Sequence, residues 1–154
     1  VQGAQPLLSY NLGAGNISRV KKTFRLLLMC CVGGSFLIWF ICMTVPATVA
    51  SIFTGDEALI IYTVKSMRVY LAMLFIYGIQ VACQYSFVAL DQAPKAIFLT
   101  IWRKIIILIP LIFILPHFVP DAVMGVYLAE PIADTIAVCT TAPMFYSYYR
   151  KLKC

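Results

Sequence analysis

Two carboxylic acids interrupt one of the long apolar stretches of this chain. Glu130 and Asp134 are the charged residues of a run from 122 to 149 that is otherwise free of charge. Residues four positions apart lie on the same face of a helix, so the two carboxyl groups point in one direction. Burial and mutual repulsion favour the protonated form of such a pair, which suits acids that exchange a proton near neutral pH. The spacing therefore predicts a site that binds and releases a cation.

The depth of these acids in a membrane limits what they can face. In a continuous helix Asp134 lies ~20 Å from Asp121 and ~24 Å from Arg150, which is close to the middle of a bilayer. Each acid at that depth costs about 2.5 to 3.5 kcal/mol on insertion scales, so the pair must face protein, water or a cation. A second interpretation stays open, in which one or both acids are protonated and hydrogen-bond a neighbouring helix.

A second polar strip lies earlier in the chain. Gln80 stands in the middle of an apolar run, with Gln84 four residues later and Tyr77 three residues earlier. Amide oxygens accept hydrogen bonds from cationic groups and aromatic faces attract cations. Tyr77, Gln80 and Gln84 are therefore candidates for a cavity that binds organic cations. The competing interpretation is that the two amides join packed helices by hydrogen bonds.

The elements that carry these residues are predicted to be membrane helices. Hydrophobic residues make up 62% of the chain and charged residues 12%, and the mean hydropathy is +0.92. A soluble domain carries about 25% charged residues, and about 20 apolar residues cross a bilayer core. The sequence therefore predicts an all-α, polytopic membrane helix bundle that forms a single membrane domain over 1–154. Its four transmembrane spans are predicted at about 26–53, 68–91, 96–118 and 122–148.

Basic residues alternate between the two sides of this bundle. Four precede the first span, three lie between the second and third, and three follow the fourth, so ten share one side. Lys65 and Arg68 lie on the other side. Because cytoplasmic loops carry the excess of Lys and Arg, both ends are predicted to be cytoplasmic and the chain to lie in the cell membrane. This asymmetry explains the net charge of +6, and no nucleic-acid partner is expected.

Two of these basic residues lie in the first part of the third span. Long basic side chains can extend from an apolar helix to the headgroups, so Arg103 and Lys104 are predicted to snorkel to the cytoplasmic surface. In this interpretation no Arg or Lys side chain lies near the middle of the membrane.

The sequence does not favour an enzyme. The chain has one histidine, His117, and contains neither an HExxH nor a GxSxG motif. Its six cysteines show no CxxC or Cys/His spacing and are interpreted as small apolar residues. We expect no enzymatic activity, no metal site and no cofactor beyond a coupling ion. No signal-peptide pattern follows Val1, which suggests an internal start.

Three strings of the chain resemble a known transporter family. Residues 5–14 read QPLLSYNLGA, residues 103–111 read RKIIILIPL and residues 125–134 read GVYLAEPIAD. The first two resemble segments of the multidrug and toxic compound extrusion (MATE) family, and the third resembles the GVWLAEPIAD signature in the last helix of MepA-like members. The resemblance covers most of the chain.

The resemblance implies a place in a larger fold. Family members have twelve helices in two lobes, and this chain is similar to the C-terminal part of the second lobe. Residues 1–25 would then be the end of a preceding helix and a basic cytoplasmic connector. A missing N-terminal lobe of the same transporter is the implied protein partner, beside the lipid bilayer.

The resemblance also implies a function. The family exports cationic and lipophilic drugs in exchange for H⁺ or Na⁺, which would make the chain a fragment of a cation-coupled multidrug efflux antiporter. Carried over, Glu130 and Asp134 are candidates for cation coupling, and Tyr77, Gln80 and Gln84 for the substrate cavity. Some branches place an acid in the helix that corresponds to the second span, where this chain has glutamines.

Two alternatives to drug export remain. One is a lipid-linked oligosaccharide flippase of the same superfamily, whose pyrophosphate cargo calls for arginines in the cavity. The other is a non-transporting fragment that packs against or regulates other membrane proteins.

Overall fold

The computed structural model describes residues 1–152, so Lys153, counted among the basic residues above, and Cys154 lie outside the described residues. Over 1–152 the chain is helical and contains no strand. A π-helical segment, Trp102–Leu108, joins two of the helices into one continuous stretch. The α-helices are α1 (Ala4–Gly13), α2 (Ile17–Thr44), α3 (Pro46–Ser51), α4 (Glu57–Tyr70), α5 (Leu74–Ala89), α6 (Ala93–Ile101), α7 (Ile109–Phe118) and α8 (Ala122–Lys151).

Acidic residues define the start of two helices. The Asp56 carboxylate accepts a hydrogen bond from the backbone N–H of Ala58 at 2.9 Å, and so caps α4. The Asp121 carboxylate does the same for α8, where it accepts from the N–H of Val123 at 3.1 Å. Such caps satisfy N–H groups that have no partner within the helix and complement its positive end.

Three helical stretches are long and apolar enough to cross a membrane, namely α2, the continuous stretch Ala93–Phe118 and α8. The pair α4 and α5 qualifies as a fourth if it is counted as one span with a bend of 50°. The prediction of an all-α, polytopic membrane helix bundle with about four spans is thereby confirmed.

Two helices begin earlier in the chain than the predicted spans. α2 begins at Ile17, so the basic residues before position 26 lie in the first turns of this helix. α4 begins at Glu57, before the predicted start of the second span at about 68, so Lys65 and Arg68 lie in a helix. Both side chains are exposed, and an exposed Lys or Arg is compatible with a helix, so charge alone did not mark the helix ends.

The best buried part of the bundle lies where α2, α5 and α8 meet near the C-terminal ends of α5 and α8. Phe87 and Phe145 are almost fully buried, with ring centroids 4.9 Å apart. The Tyr148 hydroxyl donates to the backbone oxygen of Leu90 at 3.3 Å. α5 and α8 therefore run side by side in the same direction, which places the middle of α5 beside the middle of α8.

Gly78 allows α2 and α5 to approach closely. A Cβ at this position would lie 2.5 Å from the backbone oxygen of Cys31 and 2.8 Å from its carbonyl carbon. Small residues of this kind let membrane helices pack backbone against backbone. The closest contact between these two helices therefore depends on the absence of a side chain at Gly78.

We expect Gly78→Ala to destabilise the full-length natural protein that carries this chain by about 1–3 kcal/mol, because the added methyl group overlaps backbone atoms. Gly34→Ala is the matched control, since nothing lies within 4 Å of its Cβ, and alanine favours the helix by up to about 1 kcal/mol. Thermal unfolding in detergent compares the two. Equal midpoints for both variants would contradict this account of the α2–α5 contact.

Candidate functional site

The candidate site begins with an irregular turn in the stretch Ala93–Phe118. The π-helical segment Trp102–Leu108 lies directly before Pro110, the second residue of α7. Proline has no N–H to donate and its ring crowds the carbonyl four residues earlier, so a wider turn accommodates it. The wider turn also changes which direction the side chains of this segment face. Arg103 lies in it and is only 8% exposed.

Arg103 connects this segment to both acids of α8. Its Nε donates to Oδ1 of Asp134 at 2.7 Å, and its Nη2 donates to Oε1 of Glu130 at 2.8 Å. The same Nη2 also forms an ion pair with the Asp134 carboxylate. The guanidinium carbon stands 4.9 Å from the ring centroid of Tyr77 on α5, within cation–π range. One side chain thus joins three helical stretches.

The prediction that Arg103 snorkels to the headgroups was wrong, because its side chain turns inward to the acids of α8. The side chains of Arg103 and Asp134 are each 9% exposed and that of Glu130 is 18% exposed. A pair of carboxylates in an apolar span attracts the nearest cation, because an unpaired buried charge costs more than an extended side chain gains in solvation. The signal that could have revealed the contact was the opposite charge on two adjacent spans.

The cluster contains two acids and one arginine. When both carboxylates are ionised, they share one guanidinium and the three side chains carry one net negative charge. Lys104 also lines the adjoining cavity, but its side chain is exposed and forms no ion pair with any of residues 1–152. The cluster is therefore suited to take up one proton or one monovalent cation.

A cavity of about 220 Å³ adjoins the cluster. Arg103, Lys104, Glu130 and Asp134 form its polar wall. The remaining wall comes from the junction of α4 and α5, namely Tyr70, Leu71, Leu74 and Tyr77. The break between these two helices thus creates the space next to the charges, and it brings two tyrosine rings to it.

The predicted site residues fall into two groups. Glu130, Asp134 and Tyr77 lie together at the cavity, whereas Gln80 and Gln84 do not line it. Gln84 donates to the hydroxyl of Thr100 on α6 at 2.6 Å, and Gln80 donates to Gln84 at 3.4 Å. In this structure Gln84 therefore joins α5 to α6, and Gln80 supports Gln84 from within α5. Tyr70, Arg103 and Lys104 are the aromatic and charged cavity residues that the sequence prediction did not include.

A bundle of membrane helices with a charged cavity between them has the architecture of a membrane transport protein. The sequence profile of the MatE family matches residues 1–114. Because this match covers more than half of the chain, the chain belongs to the MatE family, whose members are transporters and not enzymes. α8, with Glu130 and Asp134, lies beyond the matched residues. Comparison with curated protein sequences gives no significant match.

Solved transporter structures share this fold. The MATE multidrug transporter DinF-BH, solved as a complex, is 32% identical with a TM-score of 0.86, covering 95% of this chain and 32% of that one. A multidrug resistance MATE family transporter of the MOP superfamily, in an inward-facing conformation, is 15% identical with a TM-score of 0.85, over 97% of this chain and 34% of that one. The chain spans about a third of the length of these structures.

Removing the arginine tests the ion-pair cluster. Arg103→Gln is expected to lower the stability of the full-length natural protein by about 3–5 kcal/mol, because it leaves two acids buried without their partner. Neutralising both acids in the same background, with Glu130→Gln and Asp134→Asn, should restore most of that loss.

Thermal unfolding in detergent provides the measurement, and Lys104→Gln is the control because it removes a neighbouring, exposed charge. If Arg103→Gln and Lys104→Gln have the same small effect, Arg103 does not balance the acids.

Proposed function

We propose that this chain is part of a cation-coupled multidrug efflux antiporter, and that Arg103, Glu130 and Asp134 form its cation-responsive centre. The supporting observation is that two acids share one buried arginine beside a cavity. The chain belongs to the MatE family, and its structure matches that of a MATE multidrug transporter.

The ion pairs supply a route from cation binding to a change of shape. Protonation of Asp134, or binding of Na⁺ between the carboxylates, removes the surplus negative charge and weakens the hold of one acid on Arg103. Arg103 belongs to the stretch Ala93–Phe118 and the acids to α8, so each ion pair joins two helices. Loss of one ion pair changes the relative stability of two packing arrangements of these helices. A coupling ion must cause such a change in order to drive transport.

The cavity also suits the class of compound that we propose is exported. Tyr70 and Tyr77 present aromatic surface next to carboxylates, and this combination attracts lipophilic organic cations. Arg103 already lies near the face of Tyr77, so a drug cation at this ring competes with the guanidinium. A bound drug and a bound coupling ion would then exclude one another through Arg103, as exchange transport requires.

Placement of the chain in a complete transporter belongs to the same proposal. Alternating access requires two bodies that move about a cavity, so an N-terminal lobe must complete the site. We propose that both ends of the chain are cytoplasmic in the cell membrane, from the excess of basic residues on that side. The buried arginine does not favour an oligosaccharide flippase, because its positive charge is already paired with two carboxylates.

Export measurements test the coupling role. In the full-length protein, Asp134→Asn should reduce export of an organic cation by about tenfold or more. The reason is that it removes the carboxylate that contacts both Nε and Nη2 of Arg103. Glu130→Gln should have a smaller effect, since this side chain is twice as exposed. Transport into vesicles, with pH and Na⁺ gradients imposed separately, also identifies the coupling ion.

Glu57→Gln is the control, because Glu57 is an exposed acid in the first turn of α4. All variants must be present in the membrane in equal amount. Unchanged export by the Glu130→Gln/Asp134→Asn double variant would refute the proposed site.

A further inference from the structure

An apolar groove lies at the other end of α8 from the acids. Phe24 and Leu28 of α2, Ile79 of α5, and Phe145 and Tyr149 of α8 line it, and it encloses about 380 Å³. Arg25 lies at its edge with an exposed side chain. The groove is thus aromatic and aliphatic along its length and carries a positive charge at one side.

A second groove, which we call the basic groove, adjoins the first. It is formed by Tyr146, Ser147, Arg150 and Lys151 at the end of α8, and it encloses about 430 Å³. Tyr146 lines both grooves and is 62% exposed, so the two meet at its ring. The Arg150 guanidinium stands 5.9 Å from the centroid of that ring.

The charge of this region is of one sign. No acidic residue lines either groove. Among residues 1–152 the ion pairs are those of Arg103, so Arg25, Arg150 and Lys151 have no acidic partner. Lys21 adds a further ammonium group 5.5 Å from the ring centroid of Tyr149. Arg25 thus lines the apolar groove, Arg150 and Lys151 line the basic groove, and Lys21 lies beside Tyr149 of the apolar groove.

We propose that these two grooves form a binding site for an anionic phospholipid. One acyl chain would lie in the apolar groove against the packed rings of Phe24 and Phe145, and the phosphate would lie at its edge, near Arg25 and Arg150. Tyrosine and basic residues together are typical of the headgroup level of a membrane, which is the boundary between the acyl chains and the phosphates of the lipids. Basic pockets between membrane helices bind the headgroups of anionic lipids. The site is separate from the Arg103 cluster and does not depend on the transport proposal.

Native mass spectrometry of the full-length protein tests this assignment, with phosphatidylglycerol and phosphatidylcholine of the same chain length as probes. The expected result is retention of phosphatidylglycerol in preference to phosphatidylcholine. Arg25→Gln/Arg150→Gln should weaken phosphatidylglycerol binding by about tenfold or more, because each basic residue near the surface contributes to the attraction. Excess inorganic phosphate should not displace the lipid, since it cannot occupy the apolar groove.

A second variant tests the apolar groove without changing charge. Ala142 lines this groove, so Ala142→Phe should fill it and reduce the binding of both lipids. Cys139→Phe is its control, an exposed position on α8 outside both grooves. Arg19→Gln/Lys65→Gln is the control for the charge variant, since both residues are exposed and line neither groove.

Several results would overturn the proposal. Equal retention of phosphatidylglycerol and phosphatidylcholine would show that the lipid charge does not contribute to binding. Equal losses of phosphatidylglycerol binding in Arg25→Gln/Arg150→Gln and in Arg19→Gln/Lys65→Gln would show only a general attraction between a basic protein and an anionic lipid. Displacement by phosphate would identify an anion site without a lipid chain. Tyr146→Cys is also introduced after the native cysteines are replaced by serine. If this variant, folded in lipid-free detergent, does not react with a maleimide, another part of the transporter covers the groove. If Ala142→Phe fails to fold, the charge variant and its control still decide.

Discussion

Charge balance in a medium of low dielectric constant is the constraint on which this structure depends. Two carboxylates within a membrane-spanning stretch cannot remain ionised without a cation, and a lone arginine at the same depth is equally unfavourable. Placing them together removes most of both costs. The requirement that Arg103 reach α8 accounts for its burial in the stretch Ala93–Phe118 and for the contact of that stretch with Glu130 and Asp134. It also explains why the arginine is not at the headgroups.

The irregular parts of the helices serve this arrangement. The π-helical segment before Pro110 presents Arg103 to α8, and the break between α4 and α5 opens space beside it. Close helix contacts hold the rest of the bundle in place. Gly78 brings α5 against α2, while Gly125 brings α8 within reach of Pro116, where a Cβ would lie 2.9 Å from the proline Cα. Regular packing around the site thus positions an irregular, charged centre.

Much of the fold could be predicted from the sequence, because long apolar runs and the distribution of charge follow directly from the cost of placing polar groups in lipid. The shared face of Glu130 and Asp134 also followed from helical periodicity. The partner of these acids did not, because counting along a regular helix assigns Arg103 to the headgroups and gives no indication of a π-helical turn.

Gln80 and Gln84 illustrate the same limit. Their spacing marks a polar strip, but only the packing shows that Gln84 faces Thr100 on α6. The early start of α4 was not predicted for a different reason, since exposed charged residues such as Lys65 are compatible with a helix and do not mark where it begins.

The central claim is that the Arg103 cluster holds one surplus negative charge that a cation can neutralise. The most direct test is the number of protons or Na⁺ ions that the purified full-length protein releases when it binds an organic cation such as tetraphenylphosphonium. Our account predicts the release of about one ion per organic cation bound, and no release once Asp134 is replaced by asparagine. Binding without ion release, or release that persists in the asparagine variant, would contradict it.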